Sequence, residues 1–586
     1  MKRLCVCIVP FPEVTRGDKF SLGGAYIATA LEFETSKNGW PVDIHYLNDL
    51  DHCLHSPETI ANEILKFNPD VVAFGLFVWS EYVARKVAFL LKEAKKDILV
   101  VGGGPWVSGD LVSLAREYEH FDCLIAGDAE FSFCEVVQRF LESRKKEDLK
   151  GITGTIVREN DHIEITPRKL VDPNLVPNPY GTRFLAPIGR VLLPIRRGCG
   201  MRCKYCNWGG GFSKPLSKEN IRFILEYAFL RKLGIWVVDS AIDHRMQDLL
   251  SFAKAVEEIE PSGFEPHITA FIDYQNVDRK TCELLKRCGF NEFEVGLQSI
   301  TPEALLNSNR KFEKNKFEEA ISLLTDFADV AVDLILGLPG DTPEGFVRTV
   351  DYVKSLGVHA HLFLLLGVTS SEFYTQKEKY GLVFDPVQHY LISSPTFSEK
   401  DLALCASYFV ENYPWKWVGS DFGPANPRFA RFAYNYIVPF ESYVIAHKKF
   451  QEPLPPPRLS PGVKIFDVGA IVKEATKIKS ETTIDGFSVV MGGYSYNGCR
   501  LEVRENDGAV VGFVTILRTS AIQKEDFLIA GKNLGVRYWT LNPQYESSVC
   551  RIAEAVGDAL MRWEEKEGSI TLIGAPNTFR THRVDS

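Results

Sequence analysis

Three cysteines lie close together in the sequence at a spacing suited to metal binding. Cys199, Cys203 and Cys206 are separated by three and then by two residues. Thiolates are the usual ligands of iron–sulfur clusters, which are ordinarily held by four of them. Three thiolates on a four-iron cluster leave one iron open, and a metal site needs an open position to bind a substrate. The triplet therefore predicts a [4Fe-4S] cluster that takes part in a reaction.

A structural zinc site is the alternative explanation of the same cysteines. Zinc would need a fourth cysteine or histidine close by, usually as part of a second pair. Neither residue type occurs between Cys206 and His244, and the next cysteine is Cys282. Basic residues around the triplet would also help to keep its thiolates deprotonated. The sequence therefore favours the cluster over zinc.

The cysteine loop follows the first strand of a predicted β/α barrel, and this barrel would hold the loop in position. From Val191 onward, apolar strands alternate with amphipathic helices through six repeats, and the predicted domain covers residues 191–385. This order is typical of a partial barrel of parallel strands, whose chemistry lies at the carboxyl ends of the strands. The predicted strands are Val191–Ile195, Ile235–Asp239, His267–Ile272, Glu292–Leu297, Ala331–Leu336 and His359–Leu366.

Residues 1–150 show a similar alternation, which predicts a doubly wound, Rossmann-like α/β domain. Folds of this kind bind ligands at the carboxyl ends of their strands. Glycines occur there in Gly75–Ser80, Gly102–Pro105 and Gly127–Glu130. They either let a ligand approach the backbone closely or belong to ordinary tight turns, and both explanations remain open. The predicted strands are Leu4–Val9, Val71–Phe77, Ile98–Gly102 and Cys123–Ala126.

The remaining segments are a connector and a C-terminal region. Residues 151–190 predict a short hairpin followed by a stretch rich in proline and asparagine. Residues 386–586 predict a helix at Ser398–Asn412, then an aromatic-rich segment and a stiff proline-rich linker near 452–462. Beyond the linker, short strands and an amphipathic helix at Ser548–Lys566 predict an α+β accessory region. Its role cannot be inferred from the sequence.

Composition excludes several classes of protein. A net charge of −9 is unlike the basic face of a general nucleic-acid binder. An odd number of cysteines, 13 in a chain of 586 residues, argues against a secreted disulfide framework. No apolar run approaches the ~20 residues needed to cross a bilayer. We therefore expect a cytoplasmic protein with no membrane span and no nucleic-acid partner.

The cysteine loop and the barrel together resemble the radical S-adenosylmethionine (SAM) superfamily. The loop carries an aromatic residue, Tyr205, before its last cysteine. The segments Glu294–Ser299 and Asp333–Thr342 resemble the fourth-strand and fifth-strand motifs of that family. The second strand departs from the family pattern, since it ends in Asp239-Ser240 where Gly-Gly-Glu is usual.

This resemblance implies that SAM chelates the open iron and is cleaved to a 5′-deoxyadenosyl radical. It also implies which residues contact SAM. The backbone at Tyr205 and at Leu336–Gly337 would contact adenine. The ribose or carboxylate would contact Gln298, Ser299 and Arg310, and the methionine end would contact Asp239 and Ser240.

The N-terminal domain resembles the cobalamin-binding domain that precedes many radical SAM barrels. Val100–Pro105 and Gly127–Glu130 match the segments of that family that contact the cofactor. The Asp-x-His-x-x-Gly motif, which supplies a histidine to cobalt in other cobalamin proteins, is absent from the sequence, so no histidine on cobalt is expected. Some relatives keep this domain without binding cobalamin, and that alternative stays open. The expected cobalamin contacts are Gly75, Phe77, Trp79, Ser80, Gly103, Gly104, Gly127 and Glu130.

Both domains together resemble the cobalamin-dependent radical SAM enzymes, which are mostly methylases. The resemblance implies transfer of a methyl group from SAM, through methylcobalamin, to a carbon of a small-molecule or peptide substrate. A donor such as flavodoxin or ferredoxin would supply electrons. Ring rearrangement, cyclisation and methylation without a substrate radical would leave the same sequence features, so they remain open. Methylthiolation of transfer RNA would require a basic tail and a second cluster, which this acidic sequence lacks.

Overall fold

The computed structural model divides the chain into two compact units. The first comprises residues 1–52 and 57–405, and the second comprises residues 53–56 and 406–586. None of the described helices is both long and apolar enough to cross a membrane. The described residues are 3–11, 20–48, 50, 57–159, 162–187, 189–208, 211–259, 264–384, 389, 391–398 and segments between 401 and 572.

The first unit begins with a seven-stranded sheet. Its strands are β1 Leu4–Val9, β2 Val42–Tyr46, β3 Val71–Gly75, β4 Leu99–Gly103, β5 Cys123–Ile125, β6 Thr155–Glu159 and β7 His162–Ile165. The order is β2-β1-β3-β4-β5-β6-β7, with parallel pairing up to β5 and an antiparallel hairpin of β6 and β7 at that edge. β1, β3 and β4 are apolar runs that are almost wholly buried, as expected for parallel strands covered on both faces.

Five described helices accompany this sheet, and four of them pack in two pairs. They are α1 Leu22–Asn38, α2 Pro57–Leu65, α3 Glu81–Ala94, α4 Leu111–Glu117 and α5 Glu130–Ser143. α1 packs against α5, and α2 packs against α3. α1 begins where Ser21 Oγ accepts a hydrogen bond from the backbone N–H of Gly24 at 3.1 Å, and it ends at Gly39 in the left-handed conformation.

The second part of the first unit is a barrel-like sheet of six parallel strands. Consecutive strands pair with each other, so their carboxyl ends lie at one edge. The sheet strands are β8 Arg190–Leu193, β11 Gly234–Val237, β12 Ile268–Ile272, β13 Glu292–Gln298, β14 Asp329–Leu336 and β15 His359–Leu364. Two short pairs accompany them, namely β9 Gly198–Cys199 with β10 Gly211–Phe212, and β16 Val383–Phe384 with β17 Leu391–Ser393.

The barrel helices alternate with these strands. Thr342 Oγ1 accepts a hydrogen bond from the backbone N–H of Gly345 at 3.0 Å and so caps the helix that follows β14. The helices are α6 Lys218–Arg231, α7 Met246–Glu257, α8 Arg279–Arg287, α9 Pro302–Asn307, α10 Lys314–Thr325, α11 Pro343–Ser355, α12 Glu372–Thr375 and α13 Lys377–Tyr380.

The second unit has a six-stranded antiparallel sheet and one long helix. Its apolar core includes Val503 and Val514 from the sheet and Ile552 from the helix. The elements are β18 Lys464–Phe466, β19 Glu481–Ile484, β20 Phe487–Tyr494, β21 Gly498–Arg504, β22 Val510–Arg518, β23 Ile529–Ala530, β24 Leu534–Thr540, α14 Glu546–Glu567 and β25 Ile570–Leu572. β18 and β25 form a separate parallel pair.

The predicted fold class, with its Rossmann-like domain, partial barrel and α+β region, is confirmed. β2 was not predicted, because it is a short strand with only two fully buried side chains, Val42 and Ile44. The hairpin expected in the connector extends the N-terminal sheet instead of standing alone. The aromatic-rich segment and the proline-rich linker lie outside the described residues, as does most of the predicted helix Ser398–Asn412.

Candidate active site

The cysteine loop follows β8 and is shaped by the short β9–β10 pair. Cys199 ends β9 and pairs with Gly211. Gly198 has a φ of 94°, and a Cβ at this position would overlap the carbonyl oxygen of Gly211. Because only glycine tolerates both conditions, the sequence Gly-Cys lets the loop turn directly at its first cysteine.

Polar hydrogens are directed at all three cysteine sulfur atoms. Cys199 and Cys206 each accept a hydrogen bond from the backbone N–H two residues later in the chain, at 3.4 Å. Nη1 of Arg310 lies 3.8 Å from Cys203 Sγ. Hydrogen-bond donors stabilise a thiolate more than a thiol, so the loop favours the form that binds iron.

Burial and hydrogen bonding act in opposite directions on these thiols. Burial by itself would raise the pKa of Cys199, but hydrogen bonding, from His244 above all, holds this pKa below its usual value. Burial raises the pKa of Cys206 to about 11. Because iron binds the thiolate, cluster binding would supply the free energy that ionises Cys206.

The spacing of the sulfur atoms fits a cluster better than a single ion. Among the described residues, the Sγ atoms of the three cysteines do not all lie within 4.8 Å of one another. Three thiolates on one tetrahedral zinc ion, with bonds of about 2.3 Å, would lie about 3.8 Å apart. A four-iron cluster separates its thiolates more widely, because each binds a different iron. The residues present therefore fit the cluster.

Gln298 lies in a strained conformation at the end of β13. The pairing of β13 with β14 shifts register between Gly296 and Gln298, and Gln298 has a φ of 73°. Such a conformation costs a non-glycine residue roughly 1–3 kcal/mol. The side chain is only 9% exposed, and its Oε1 has no hydrogen-bond partner among the described residues. A buried oxygen in this state is suited to a polar ligand, and it fits the predicted contact with SAM.

Arg310 connects β13 with the cysteine loop. Its Nη2 donates to the carbonyl oxygen of Gly296 at 2.6 Å, and its Nη1 lies 3.4 Å from Met201 Sδ. The Tyr205 phenol interacts with the same guanidinium, although burial raises the pKa of this phenol well above its usual value. The fold thus brings two of the predicted SAM contacts, Arg310 and Tyr205, to the cluster loop.

Three other predicted SAM contacts hold parts of the protein together. Asp239 accepts hydrogen bonds from the backbone N–H groups of Ile195 and Arg196 at 2.7 and 3.0 Å, and burial raises its pKa to about 7. Ser240 Oγ donates to the carbonyl oxygen of Gly198 at 3.2 Å. These two side chains therefore position the start of the cysteine loop. The third, Ser299 Oγ, donates to the buried Asp341 carboxylate at 2.9 Å. A direct contact with SAM stays a prediction for all three.

Leu336 is the last residue of β14, and Gly337 follows it. The carbonyl oxygen of Leu336 accepts a hydrogen bond from the backbone N–H of Leu365 at 3.0 Å. Gly337 adopts a φ of 91°, which turns the chain away from the sheet. Their contact with adenine likewise stays a prediction.

A cavity of about 340 Å³ opens at the carboxyl ends of β1, β3, β4 and β5. A Cβ placed at Gly103 would meet nothing closer than the carbonyl oxygen of Ile125, at 3.7 Å. The backbone at this strand end is therefore not closely covered by other protein atoms, as contact with a large cofactor requires. The predicted cobalamin contacts that line the cavity are Gly75, Phe77, Gly103, Gly104, Gly127 and Glu130.

Glu130 provides a second sign that the cavity takes a polar ligand. The side chain is 4% exposed, and its Oε2 has no hydrogen-bond partner within the described residues. Its Oε1 lies 2.7 Å from Arg197 Nη2. Cobalamin carries amide N–H groups around its ring, which can donate to such an oxygen. The cavity and its orphaned carboxylate oxygen therefore fit cobalamin.

The other two predicted cobalamin contacts, Trp79 and Ser80, are not among the residues that line the cavity. The Trp79 ring stacks on Phe77 with centroids 4.6 Å apart. Ser80 Oγ donates to the carbonyl oxygen of Gly75 at 2.9 Å and accepts from the backbone N–H of Phe77 at 3.1 Å. Both residues thus stabilise the turn after β3, and their contact with cobalamin remains a prediction.

Arg197 joins this cavity to the cysteine loop, a role that was not predicted. It precedes Cys199 by two residues, yet it lines the cavity together with Pro194. Its Nη1 lies 3.0 Å from Asp128 Oδ1, and its Nη2 binds Glu130 as described above. The sequence around Arg197 does not predict these ion pairs, because they depend on how the two sheets of the first unit pack together.

Comparison with known proteins assigns both domains. Residues 193–353 match the Radical SAM superfamily, and residues 13–137 match the B12 binding domain family. The chain therefore contains a radical SAM domain preceded by a B12-binding domain. These two domains confirm the predicted [4Fe-4S] cluster, SAM and cobalamin as the cofactors.

Three known proteins are similar to this chain in sequence or in fold. It is 25% identical over 351 residues to the uncharacterized methyltransferase PH0819 of Pyrococcus horikoshii, covering 58% of this chain and 73% of that protein. It is 25% identical over 361 residues to the cobalamin-dependent radical SAM methyltransferase TokK of Streptomyces tokunonensis, covering 55% of this chain and 51% of TokK. The structure of the methyltransferase TsrM from Kitasatospora setae shares the fold, with a TM-score of 0.51, 18% identity and coverage of 66% and 80%.

Replacing Gln298 with alanine is expected to weaken SAM binding about fivefold, because a hydrogen bond to a buried oxygen contributes on the order of 1 kcal/mol. Equilibrium binding of SAM to the cluster-loaded enzyme measures the effect. Gln247, exposed on α7, provides the matched control, and Gln247→Ala should bind SAM as the wild type does. Unchanged affinity in Gln298→Ala would remove Gln298 from the SAM site.

Proposed function

We propose that this enzyme transfers a methyl group from SAM, by way of cobalamin, to a carbon of a small-molecule or peptide substrate. The observation that carries the proposal is the shared wall between the two cofactor sites. Arg197 lines the cobalamin cavity and lies two residues before the cluster ligand Cys199. Groups bound at the two sites would therefore be close enough to act on one substrate.

The names of the similar proteins support the same proposal. PH0819, TokK and TsrM are all called methyltransferases, and TokK is called a cobalamin-dependent radical SAM methyltransferase. Because the chain covers only 51% of TokK, the whole activity of that protein is not carried over.

When bound, cobalamin supplies a carrier for the methyl group, and the cluster with SAM supplies a radical that activates the substrate. The chain contributes binding and orientation. Cys199, Cys203 and Cys206 would hold the cluster, and the buried oxygen of Gln298 would accept a hydrogen bond from SAM. Arg197 forms ion pairs with Asp128 and Glu130. It would thereby hold the wall of the cobalamin cavity against the cysteine loop.

The proposal extends to the setting of the reaction. Reduction of the cluster requires a one-electron donor, so we include a flavodoxin or ferredoxin as the partner protein. Cluster and reduced cobalamin both react with oxygen. We therefore also propose that the enzyme works in the reducing environment of the cytoplasm. No nucleic-acid partner is included, because the net charge of −9 disfavours binding to phosphate backbones.

A direct test needs no knowledge of the substrate. Incubated anaerobically with reduced cobalamin and SAM, the enzyme should form S-adenosylhomocysteine, because the cobalamin carrier takes its methyl group from SAM. Liquid chromatography with mass spectrometry measures this product, and cobalamin-free enzyme serves as the control. Formation of 5′-deoxyadenosine alone, with cobalamin bound and reduced, would favour a ring-rearranging, cyclising or oxidising enzyme instead.

A further inference from the structure

Two carboxylates and a histidine converge at the barrel-like sheet, and none of the three is a predicted cofactor contact. Glu294, Asp333 and His361 come from the neighbouring strands β13, β14 and β15, and one ligand atom from each lies within 4.8 Å of the others. His361 Nδ1 lies 3.1 Å from Asp333 Oδ1 and 3.8 Å from Glu294 Oε2. Strand register produces this arrangement, because Asp333 pairs with His361 across β14 and β15.

Burial makes the charge on this cluster costly. Glu294 is 7% exposed and Asp333 is 6% exposed, and the side chain of His361 is 14% exposed. Two buried carboxylates are expensive unless cations compensate them. A protonated His361 would compensate one negative charge, whereas a divalent cation bound by a neutral His361 would compensate both.

A neighbouring pair, formed by Glu292 of β13 and His267 just before β12, shows what an ordinary ion pair looks like here. Glu292 lies two residues before Glu294, and its Oε2 is 2.5 Å from His267 Nε2. The His267 side chain is 56% exposed, and Glu292 also accepts a hydrogen bond from Thr269 Oγ1 at 2.8 Å. One carboxylate, one solvated imidazole and one hydroxyl satisfy each other there. The cluster around His361 differs, since it has two carboxylates and is shielded from solvent.

We propose that Glu294, Asp333 and His361 bind a divalent transition-metal ion that is separate from the iron–sulfur cluster. Ligand atoms about 2.0–2.2 Å from one ion at angles near 90–110° lie about 2.8–3.6 Å apart, which small side-chain adjustments reach from the observed 3.1 and 3.8 Å. Carboxylate oxygens suit Mn²⁺, and imidazole nitrogen suits Fe²⁺ and Zn²⁺, so the mixed set points to an ion of this class. Three protein ligands leave positions open for water or for an oxygen atom of the substrate.

Titration with Mn²⁺ tests the proposal on the full chain, with its cluster reconstituted and loosely bound metal removed by a chelator. Mn²⁺ is suitable because thiolates compete for it poorly. Electron paramagnetic resonance of free Mn²⁺ should show that about one ion per chain is bound. The substitutions Asp333→Asn and His361→Asn should each weaken binding by about tenfold or more, since each removes a ligand. Glu292→Gln is the matched control and should bind as the wild type does.

Two outcomes would overturn the metal site. One is a wild type that binds no Mn²⁺, which would identify the cluster as an ion pair with a protonated His361. The other is unchanged binding in folded His361→Asn protein. Should the variants fail to fold, crystals of the wild type soaked in Mn²⁺ give an independent answer. Anomalous scattering should then show a peak between the three side chains, and a map without such a peak contradicts the proposal.

Discussion

Replacing Cys199, Cys203 and Cys206 together with alanine is expected to lower the iron content from about four per chain to background, since a cluster ordinarily depends on its thiolate ligands. Formation of 5′-deoxyadenosine should fall below detection with it. Loss of the ligands removes the only three thiolates that share one loop in the described barrel. Iron analysis after anaerobic reconstitution and the visible absorbance of the cluster measure the effect.

Cys282 provides the control for this experiment. It is also a buried cysteine of the barrel, but it lies on α8 and far along the chain from the loop. Cys282→Ala should keep its full iron content. Cobalamin binding by the triple variant tests whether the chain still folds. A folded triple variant that retains a complete cluster would refute the assignment of these three ligands.

Replacing Gly103 with leucine is expected to reduce cobalamin retention by more than about tenfold, because the new side chain would occupy the cavity that the cofactor needs. A Cβ at this position meets only ordinary van der Waals contacts, so the substitution leaves the strand itself unstrained. Absorbance of cobalamin after reconstitution and desalting measures retention. Gly103→Ala adds one carbon and should lose less cofactor than Gly103→Leu.

Iron content separates blocked binding from misfolding in the leucine variant, since the cysteine loop should still hold about four irons. A leucine variant that retains cobalamin as the wild type does would contradict this location of the cofactor. In the wild type, the spectrum of bound Co(II) should lack nitrogen splitting from a protein histidine. Such splitting would show that a histidine binds cobalt despite the missing Asp-x-His-x-x-Gly motif.

Local sequence patterns predicted the architecture of the first unit. Apolar runs such as Val71–Gly75 and Asp329–Leu336 are buried on both faces, so their lengths and spacing alone indicate parallel strands. α8 and α11 begin where the side chains of Asp278 and Thr342 cap them, so the local sequence marks both starts. The strand β2 escaped prediction because a short strand with few buried side chains has a weak pattern.

Contacts between residues distant in the sequence explain why the roles of individual side chains could not be predicted. Ser80 was chosen as a cofactor contact from its place after β3, yet its hydroxyl closes that turn. Asp239 was chosen from its place after the second barrel strand, yet its carboxylate holds the backbone of Ile195 and Arg196. A position at a strand end predicts that a side chain lies near the site. It does not predict whether the side chain bonds to a ligand or to the protein.

The sequence by itself predicted the cluster ligands, because Cys199, Cys203 and Cys206 belong to one short loop whose spacing is set by the covalent chain. Only the tertiary structure decided which residues join them. Arg197 reaches Glu130 across two sheets, and Glu294 meets His361 through the register of three strands. Such contacts depend on packing between segments far apart in the chain, and neither spacing nor composition encodes the position of one strand against another.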